Sequence, residues 1–179
     1  TSGYERVETL EALRGTVDVY LTDFKYADAA LAARYSHAPD YPAVALAALE
    51  AMVENVGEPR FDTYRGQRRM TGGVIVRHLV LPGAVENSLK ALELLVGRFG
   101  TSIAYSLMNQ YTPVMSDSQL RAYPELGATV GEADYEQVLD FADELGLEDY
   151  YWQDGPAARE SFIPSWNGEG VFADAATNT

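Results

Sequence analysis

The feature that most constrains the fold is an apolar run from Val74 to Leu81, preceded by Gly72-Gly73 and closed by Pro82-Gly83. Eight residues rich in β-branched types between such turn-forming residues predict one buried strand. A run that is apolar on both faces is typical of a parallel strand with helices above and below. Arg77 and His78 interrupt the run and, as neighbours, point to opposite faces. Because an arginine is rarely buried unless it is paired, either a carboxylate elsewhere in the chain or a ligand must neutralise Arg77.

Composition narrows the class of protein. The 179 residues suffice for one well-buried core and are too few to predict two. The net charge of −14 argues against nucleic acid or an anionic membrane as a partner. The chain has no cysteine, which excludes disulfides, thiolate nucleophiles and iron–sulfur or zinc–thiolate sites within these residues. No apolar stretch approaches the length of a membrane span and no signal-peptide pattern opens the chain, so we expect a cytoplasmic protein.

Strand and helix patterns alternate about four times along the chain. The predicted strands cover the end of a strand at residues 1–4, then 17–23, 74–81, 102–108 and 148–153. The predicted helices end near Gly15, Tyr35, Gly57, Gly100 and Gly146, and their start signals include Asp28, Pro42 and a capping box formed by Thr129 and Glu132. Two stretches are predicted as loops, an arginine-rich mobile loop at 58–73 and, after the strand has run into residues 109–113, a long loop that continues to Thr129.

This alternation predicts a parallel sheet of β/α units with right-handed crossovers. An eight-stranded barrel has eight β/α units in about 250 residues; with about four such units, this chain supplies about half of one. We therefore expect an α/β fold in which residues 1–165 form the C-terminal half of a partial TIM-type barrel and residues 166–179 form an irregular tail. An open parallel edge would be exposed where the missing strands belong.

Functional groups of parallel α/β folds gather at the C-terminal ends of the strands. Four such ends are predicted, at Ser2-Gly3, Asp23-Phe24-Lys25, Leu81-Pro82-Gly83 and Asn109-Gln110-Tyr111. Asp23 and Lys25 share a face and make the best polar pair in the chain; the alternative is a structural ion pair. Lys25 could also form a Schiff base with a carbonyl substrate, but that requires the neutral amine, and a carboxylate two residues away favours the charged form.

The other candidates lie on the two later strands. Arg77 suits the carboxylate or phosphate of a ligand if it faces the interior, and pairing with Asp23 is an equal alternative. His78 is predicted to be a hydrogen-bonded packing residue rather than a base. Ala104, Ser106, Met108 and Gln110 share a face whose small and polar residues leave room for a ligand, with ordinary barrel packing as the alternative.

With these residues assembled, the chain resembles the C-terminal half of a radical S-adenosylmethionine (SAM) protein. Within that superfamily it is similar to the pyruvate formate-lyase activating enzymes and their less characterised homologues. The matching stretches, in order over residues 1–165, are Thr1-Ser2-Gly3-Tyr4, then Tyr20-Leu21-Thr22-Asp23-Phe24-Lys25-Tyr26, then Val76-Arg77-His78-Leu79-Val80-Leu81-Pro82-Gly83, then Ser106-Leu107-Met108-Asn109-Gln110-Tyr111-Thr112-Pro113.

The resemblance implies a partial (β/α)6 barrel with a 4Fe–4S cluster on a CxxxCxxC loop. The cluster cleaves SAM reductively to a 5′-deoxyadenosyl radical, which activates a glycyl radical enzyme partner; the electron comes from a donor such as flavodoxin or ferredoxin. Asp23 and Lys25 match the family's Asp-x-Lys contacts to SAM, Ser2 lies in its Thr-x-Gly turn, and Arg77 matches the arginine of its R-x-x-x-x-P-G strand.

This sequence departs from the family pattern in two places. Characterised activating enzymes have a histidine after the later strand, where this chain has Asn109-Gln110-Tyr111; Gln110 is the candidate cofactor-binding residue there. The cysteine loop is missing, so no cofactor is expected on these residues alone and the chain by itself is expected to be inactive. The alternatives are a barrel-type lyase or aldolase that uses Lys25, and a non-catalytic barrel scaffold.

Overall fold

Five strands form the sheet in the computed structural model, which describes residues 1–152. They are β1 (Val19–Asp23), β2 (Arg60–Tyr64), β3 (Gln67–Leu79), β4 (Ala104–Met108) and β5 (Tyr150–Tyr151). β1, β3, β4 and β5 lie side by side in that order and are parallel. The predicted parallel sheet is confirmed. The predicted tail at 166–179 and the end of the predicted barrel segment, 153–165, lie outside the described residues.

Helices connect the parallel strands. They are α1 (Val7–Ala12), α2 (Ala29–Ser36), α3 (Tyr41–Val56), α4 (Val85–Phe99), α5 (Asp117–Ala122) and α6 (Glu132–Glu144). The chain passes through α2 and α3 between β1 and β3, through α4 between β3 and β4, and through α5 and α6 between β4 and β5. The described residues therefore form a mixed α/β fold with a central parallel sheet of β/α units.

Several predicted helix boundaries are confirmed. The Asp28 carboxylate caps α2 by accepting hydrogen bonds from the amides of Ala30 (2.7 Å) and Leu31 (3.2 Å). α3 begins one residue before Pro42 and ends at Gly57, and α4 ends at Gly100. These ends follow from the preference for Asp at the N-cap, Pro in the first turn and Gly just beyond the last turn.

Helices α2, α3, α4 and α6 pack against one face of the sheet. Its inward side chains are buried, and they include Tyr20, Thr22, Val74, Val76, His78, Tyr105 and Leu107. The opposite face carries Leu21, which is 44% exposed, and the half-buried Asp23 and Arg77. The run at 74–81 predicted helices on both sides; among residues 1–152 the second face is only partly covered, and it carries the candidate site.

The predicted mobile loop at 58–73 is wrong, because these residues form a β-hairpin. β2 pairs antiparallel with the first part of β3, and the two strands are joined by Arg65-Gly66. Both turn residues have positive φ (51° and 79°), which is the geometry of a two-residue hairpin turn that suits Gly. Gly72-Gly73 lies inside β3 rather than before it. β3 therefore extends beyond the apolar run, because its first half pairs with β2.

The predicted long loop from Pro113 to Thr129 contains α5 and a 3₁₀ turn at Pro124–Gly127. Ser116 and Gln119 form the capping box that starts α5. The predicted capping box of Thr129 and Glu132 is wrong, because α6 begins after Gly131 without a side-chain cap. Both spacings satisfy the same sequence rule, and local backbone geometry decides which of them forms.

Thr1 lies along the outer edge of β1. Its nitrogen donates to the Leu21 carbonyl (2.6 Å) and its carbonyl accepts from the Asp23 amide (3.2 Å). This is the bonding pattern of a parallel pair, so the predicted strand end at residues 1–4 is present as a single pairing residue. Among residues 1–152, no helix combines the length and apolar character that a membrane crossing requires.

Candidate functional site

Asp23 and Arg77 form an ion pair on the open face of the sheet. The two residues lie opposite each other in the parallel register of β1 and β3. Arg77 Nε lies 2.9 Å from Asp23 Oδ1, and a terminal guanidinium nitrogen lies 2.7 Å from the same oxygen. The Phe24 amide donates to the Arg77 carbonyl (2.9 Å), which continues the ladder one residue past β1. Strand register therefore creates the pair.

Lys25 completes a charged group of three. Its Nζ lies 3.8 Å from Asp23 Oδ2, on the other side of the carboxylate from Arg77. Two cations and one anion leave a formal charge of +1 in a chain whose net charge is −14. A guanidinium has five N–H donors, and the contacts to Asp23 involve two of its nitrogens. This local excess of positive charge suits a ligand that carries a carboxylate.

These three side chains line a cavity of about 340 Å³ at the C-terminal ends of the strands. Gln110, which follows β4, lines it too, and its amide nitrogen lies 3.6 Å from the sulfur of Met108. The remaining lining residues are apolar or aromatic, namely Tyr26, Leu79, Leu81, Met108 and Tyr111. The cavity thus has a charged wall and an apolar wall, which matches an amphiphilic small molecule.

Four of the five predicted site residues meet at this cavity: Asp23, Lys25, Arg77 and Gln110. Ser2 is exposed and is not among the residues that line it. The Ser2 carbonyl is instead connected to the site through the hydroxyl of Tyr41, 2.9 Å away. Of the two alternatives left open for Arg77, the structure shows the pairing with Asp23.

His78 lies on the opposite face, as predicted from its position next to Arg77, and is fully buried. Nδ1 donates to the Phe24 carbonyl (2.7 Å), because a carbonyl can only accept, and Nε2 accepts from the Ser88 hydroxyl (2.9 Å). Burial lowers the pKa of His78, although the Phe24 carbonyl opposes the shift. The neutral imidazole links β3, α4 and the end of β1. The predicted packing role is confirmed.

Asn87 holds the loop that carries Lys25. This buried residue in α4 donates to the Lys25 carbonyl (3.0 Å) and accepts from the amides of Ala27 (2.9 Å) and Asp28 (3.2 Å). The sequence gives no signal that an isolated Asn in a helix will hold a distant loop. The hydrogen-bond partners of Asn87 lie about 60 residues away in the chain, whereas helical patterns report only on neighbours three or four residues apart. Sequence reasoning missed Asn87 for that reason.

A strap of residues 111–127 adjoins the cavity. Tyr111 lines the cavity and donates to the Leu126 carbonyl (2.8 Å), and burial raises its pKa. Glu125 accepts from Tyr35 and from Arg34, both at 2.7 Å. Burial and the Glu125 hydrogen bond raise the pKa of Tyr35 to about 12. The Tyr35 bond in turn holds the pKa of Glu125 below its usual value. These contacts fasten the strap to α2.

Comparison with known proteins adds one relative. The chain is 25% identical over 150 residues to an uncharacterized protein of Methanocaldococcus jannaschii. The alignment covers 83% of this chain and 38% of that protein, so the chain spans less than half of the relative's length. No family model matches the chain, and no solved structure gives a significant match.

Proposed function

We propose that this chain is the C-terminal portion of a radical SAM protein similar to the pyruvate formate-lyase activating enzymes, and that its cavity binds SAM. In this proposal the β/α units belong to a partial (β/α)6 barrel. The observation that carries the proposal is that Asp23, Lys25, Arg77 and Gln110, from three different strand ends, line one cavity. The proposed partners of the whole protein are a glycyl radical enzyme and an electron donor such as flavodoxin or ferredoxin.

The chemistry of the cavity supports a ligand of this kind. Arg77 and Lys25 would bind a carboxylate, and Asp23 would accept hydrogen bonds from an ammonium or hydroxyl group. Tyr26, Tyr111 and Met108 offer the apolar and aromatic surface that a purine ring requires. SAM combines a zwitterionic amino-acid end with an adenine ring. The charged wall would bind the amino-acid end and the apolar wall the adenine ring.

The residues of this chain do not fit an iron–sulfur cluster. The chain has no cysteine and hence no thiolate ligand. In the part of the chain that the structure describes, no group of three or more His, Asp or Glu residues is arranged to hold a metal. Residues outside this chain would have to hold the cluster, which would supply the electron for SAM cleavage. The role proposed for these 179 residues is therefore limited to binding and orienting SAM.

Titration calorimetry with SAM tests the proposal on the full-length wild-type protein and two arginine variants of it, because no cofactor is expected on these 179 residues alone. Arg77→Gln removes one of the two cations at the cavity, and we expect the affinity for SAM to fall by about tenfold or more. Arg69→Gln is the matched control, because Arg69 also pairs with an aspartate (Asp62, 3.0 and 3.2 Å) but lies on the hairpin. This variant is expected to bind SAM as wild type does.

Two results would contradict the proposal: folded wild type that does not bind SAM, or an Arg77→Gln variant that binds it unchanged. Borohydride trapping of a carbonyl compound on Lys25 would instead favour a barrel-type lyase or aldolase that uses Lys25. A chain that binds neither SAM nor carbonyl compounds would favour a non-catalytic scaffold.

A further inference from the structure

We propose that Tyr41 is a positioning residue that holds the residue 1–3 segment and the Asp23–Lys25 corner in the geometry the ligand needs. The inference rests on the proposed function, since the ligand is taken to be SAM. Tyr41 is the first residue of α3 and does not line the cavity. Its hydroxyl lies beside the backbone of three of the five predicted site residues: Ser2, Asp23 and Lys25.

The hydroxyl of Tyr41 contacts three backbone atoms. It accepts from the Lys25 amide (3.0 Å), and it donates toward the carbonyls of Ser2 (2.9 Å) and Asp23 (3.1 Å). A phenol has one proton and two lone pairs, so the proton is shared between the two carbonyls while a lone pair receives the amide. One side chain thereby joins the segment beside β1 to both ends of the Asp23–Lys25 corner.

The position of this hydroxyl is fixed by packing. Tyr41 is 4% exposed, and its ring stacks on Tyr4 (centroids 5.8 Å apart) and meets Tyr26 edge to face (5.4 Å). Burial raises the pKa of Tyr41; the hydrogen bond from the Lys25 amide opposes this shift and the Asp23 charge adds to it, and the hydroxyl keeps its proton at neutral pH. A donor that is buried, protonated and held by two rings has little freedom to move.

Gly3 packs closely against the end of β1 and against the Tyr41 hydroxyl. Gly3 has φ of +79°, and a Cβ at this position would lie 2.1 Å from the Asp23 carbonyl oxygen and 3.0 Å from the Tyr41 hydroxyl. The residue 1–3 segment therefore approaches the end of β1 as closely as a glycine allows. The Tyr41 hydroxyl fills the remaining polar space between the two segments.

Removal of the hydroxyl should disturb the corner without unfolding the chain. The Asp23–Lys25 corner keeps the hydrogen bond from the Phe24 amide to the Arg77 carbonyl and the contacts of Asn87 to the loop. What is lost is the restraint on the Lys25 amide and the Asp23 carbonyl. The side chains of Asp23 and Lys25, which the ligand is proposed to contact, would then no longer be held in one arrangement.

Tyr41→Phe in the full-length protein tests the inference, because it removes the hydroxyl and keeps the ring. We expect the affinity for SAM to fall by about tenfold, while the affinity for 5′-methylthioadenosine, which lacks the amino-acid end, changes less. A general loss of structure would weaken both ligands equally. Incorporation of p-aminophenylalanine at position 41, which restores a donor, should recover part of the SAM affinity.

Tyr105→Phe is the matched control. Tyr105 is equally buried, and its hydroxyl donates to the Gly100 carbonyl (2.8 Å) at the other end of the sheet. This variant should lose comparable stability and bind SAM as wild type does. Equal SAM affinity in Tyr41→Phe and wild type, or an equal loss in Tyr105→Phe, would overturn the inference.

Hydrogen exchange of the Lys25 amide separates this inference from the proposed function, because it needs no ligand. The Tyr41→Phe variant should exchange this amide about tenfold faster or more. Unchanged exchange would refute the Tyr41 contact even if SAM binds. If exchange accelerates but wild type does not bind SAM, the proposed function fails, and the assignment of Tyr41 to SAM binding falls with it.

Discussion

Asp23 and Arg77 are 54 residues apart in the chain and opposite each other in the sheet. Sequence alternation placed Asp23 and Lys25 on one face and Arg77 on the face opposite His78. It could not give the register between β1 and β3, because the long connection through α2 and α3 does not constrain it. Pairing with Asp23 therefore remained one of two alternatives until the register was known.

His78 gives a pH-dependent prediction at the residue scale. Its pKa is lowered in the folded chain, so the unfolded chain binds a proton more readily. The neutral imidazole supports folding fully above the ordinary value of about 6.5, and this support is lost as the pH falls below it, by at most about 1.4 kcal/mol per pH unit.

Urea denaturation at about pH 7 and about pH 5 measures this effect. The free energy of unfolding of wild type should fall more steeply toward the lower pH than that of His78→Gln. Carboxylates contribute to both slopes and cancel in the comparison. Identical slopes for wild type and variant would show that His78 is not the buried neutral group described here.

At the scale of elements, α2, α3, α4 and the apolar strand were predictable, and the hairpin and α5 were not. α2, α3 and α4 have strong end signals in Asp28, Gly57 and Gly100. The hairpin of β2 and β3 lacks an apolar face, so apolar and polar residues do not alternate along it and their pattern gave no strand signal. Its turn uses Arg65 with φ of +51°, a residue that sequence rules do not associate with a two-residue turn.

Gly3 gives a prediction for the segment that runs beside β1. Gly3→Ala should lower the free energy of unfolding by at least about 2 kcal/mol, because the new Cβ would overlap the Asp23 carbonyl. Gly15→Ala is the matched control, since Gly15 has a similar φ of +74° with no atom within 4 Å of the added Cβ. It should cost about 1 kcal/mol for the backbone conformation alone.

Chemical denaturation of both variants measures the difference between them. Equal destabilisation would mean that the residue 1–3 segment does not lie against the end of β1. It would also remove the geometric basis for the role of Tyr41.

At the scale of the whole molecule, the sheet has one well-covered face and one partly covered face that holds the site. The alternation of strands and helices was enough to predict a parallel sheet of β/α units. Closure of that sheet into a barrel depends on which segments pack against its open face and pair with its β1 edge. The alternation of apolar and polar residues in residues 1–152 does not give this information. The relative from Methanocaldococcus jannaschii extends well beyond the aligned region, which covers 38% of its length.

Spectroscopy of the full-length protein, reconstituted anaerobically with iron and sulfide, tests the central proposal most directly. The account predicts 4Fe–4S absorption and an electron paramagnetic resonance signal that changes when SAM is added, with a weaker change in Arg77→Gln. The account also predicts that the cysteines for this cluster lie outside the 179 residues, which contain none. A folded full-length protein without iron–sulfur absorption, or with a signal that SAM leaves unchanged, would contradict it.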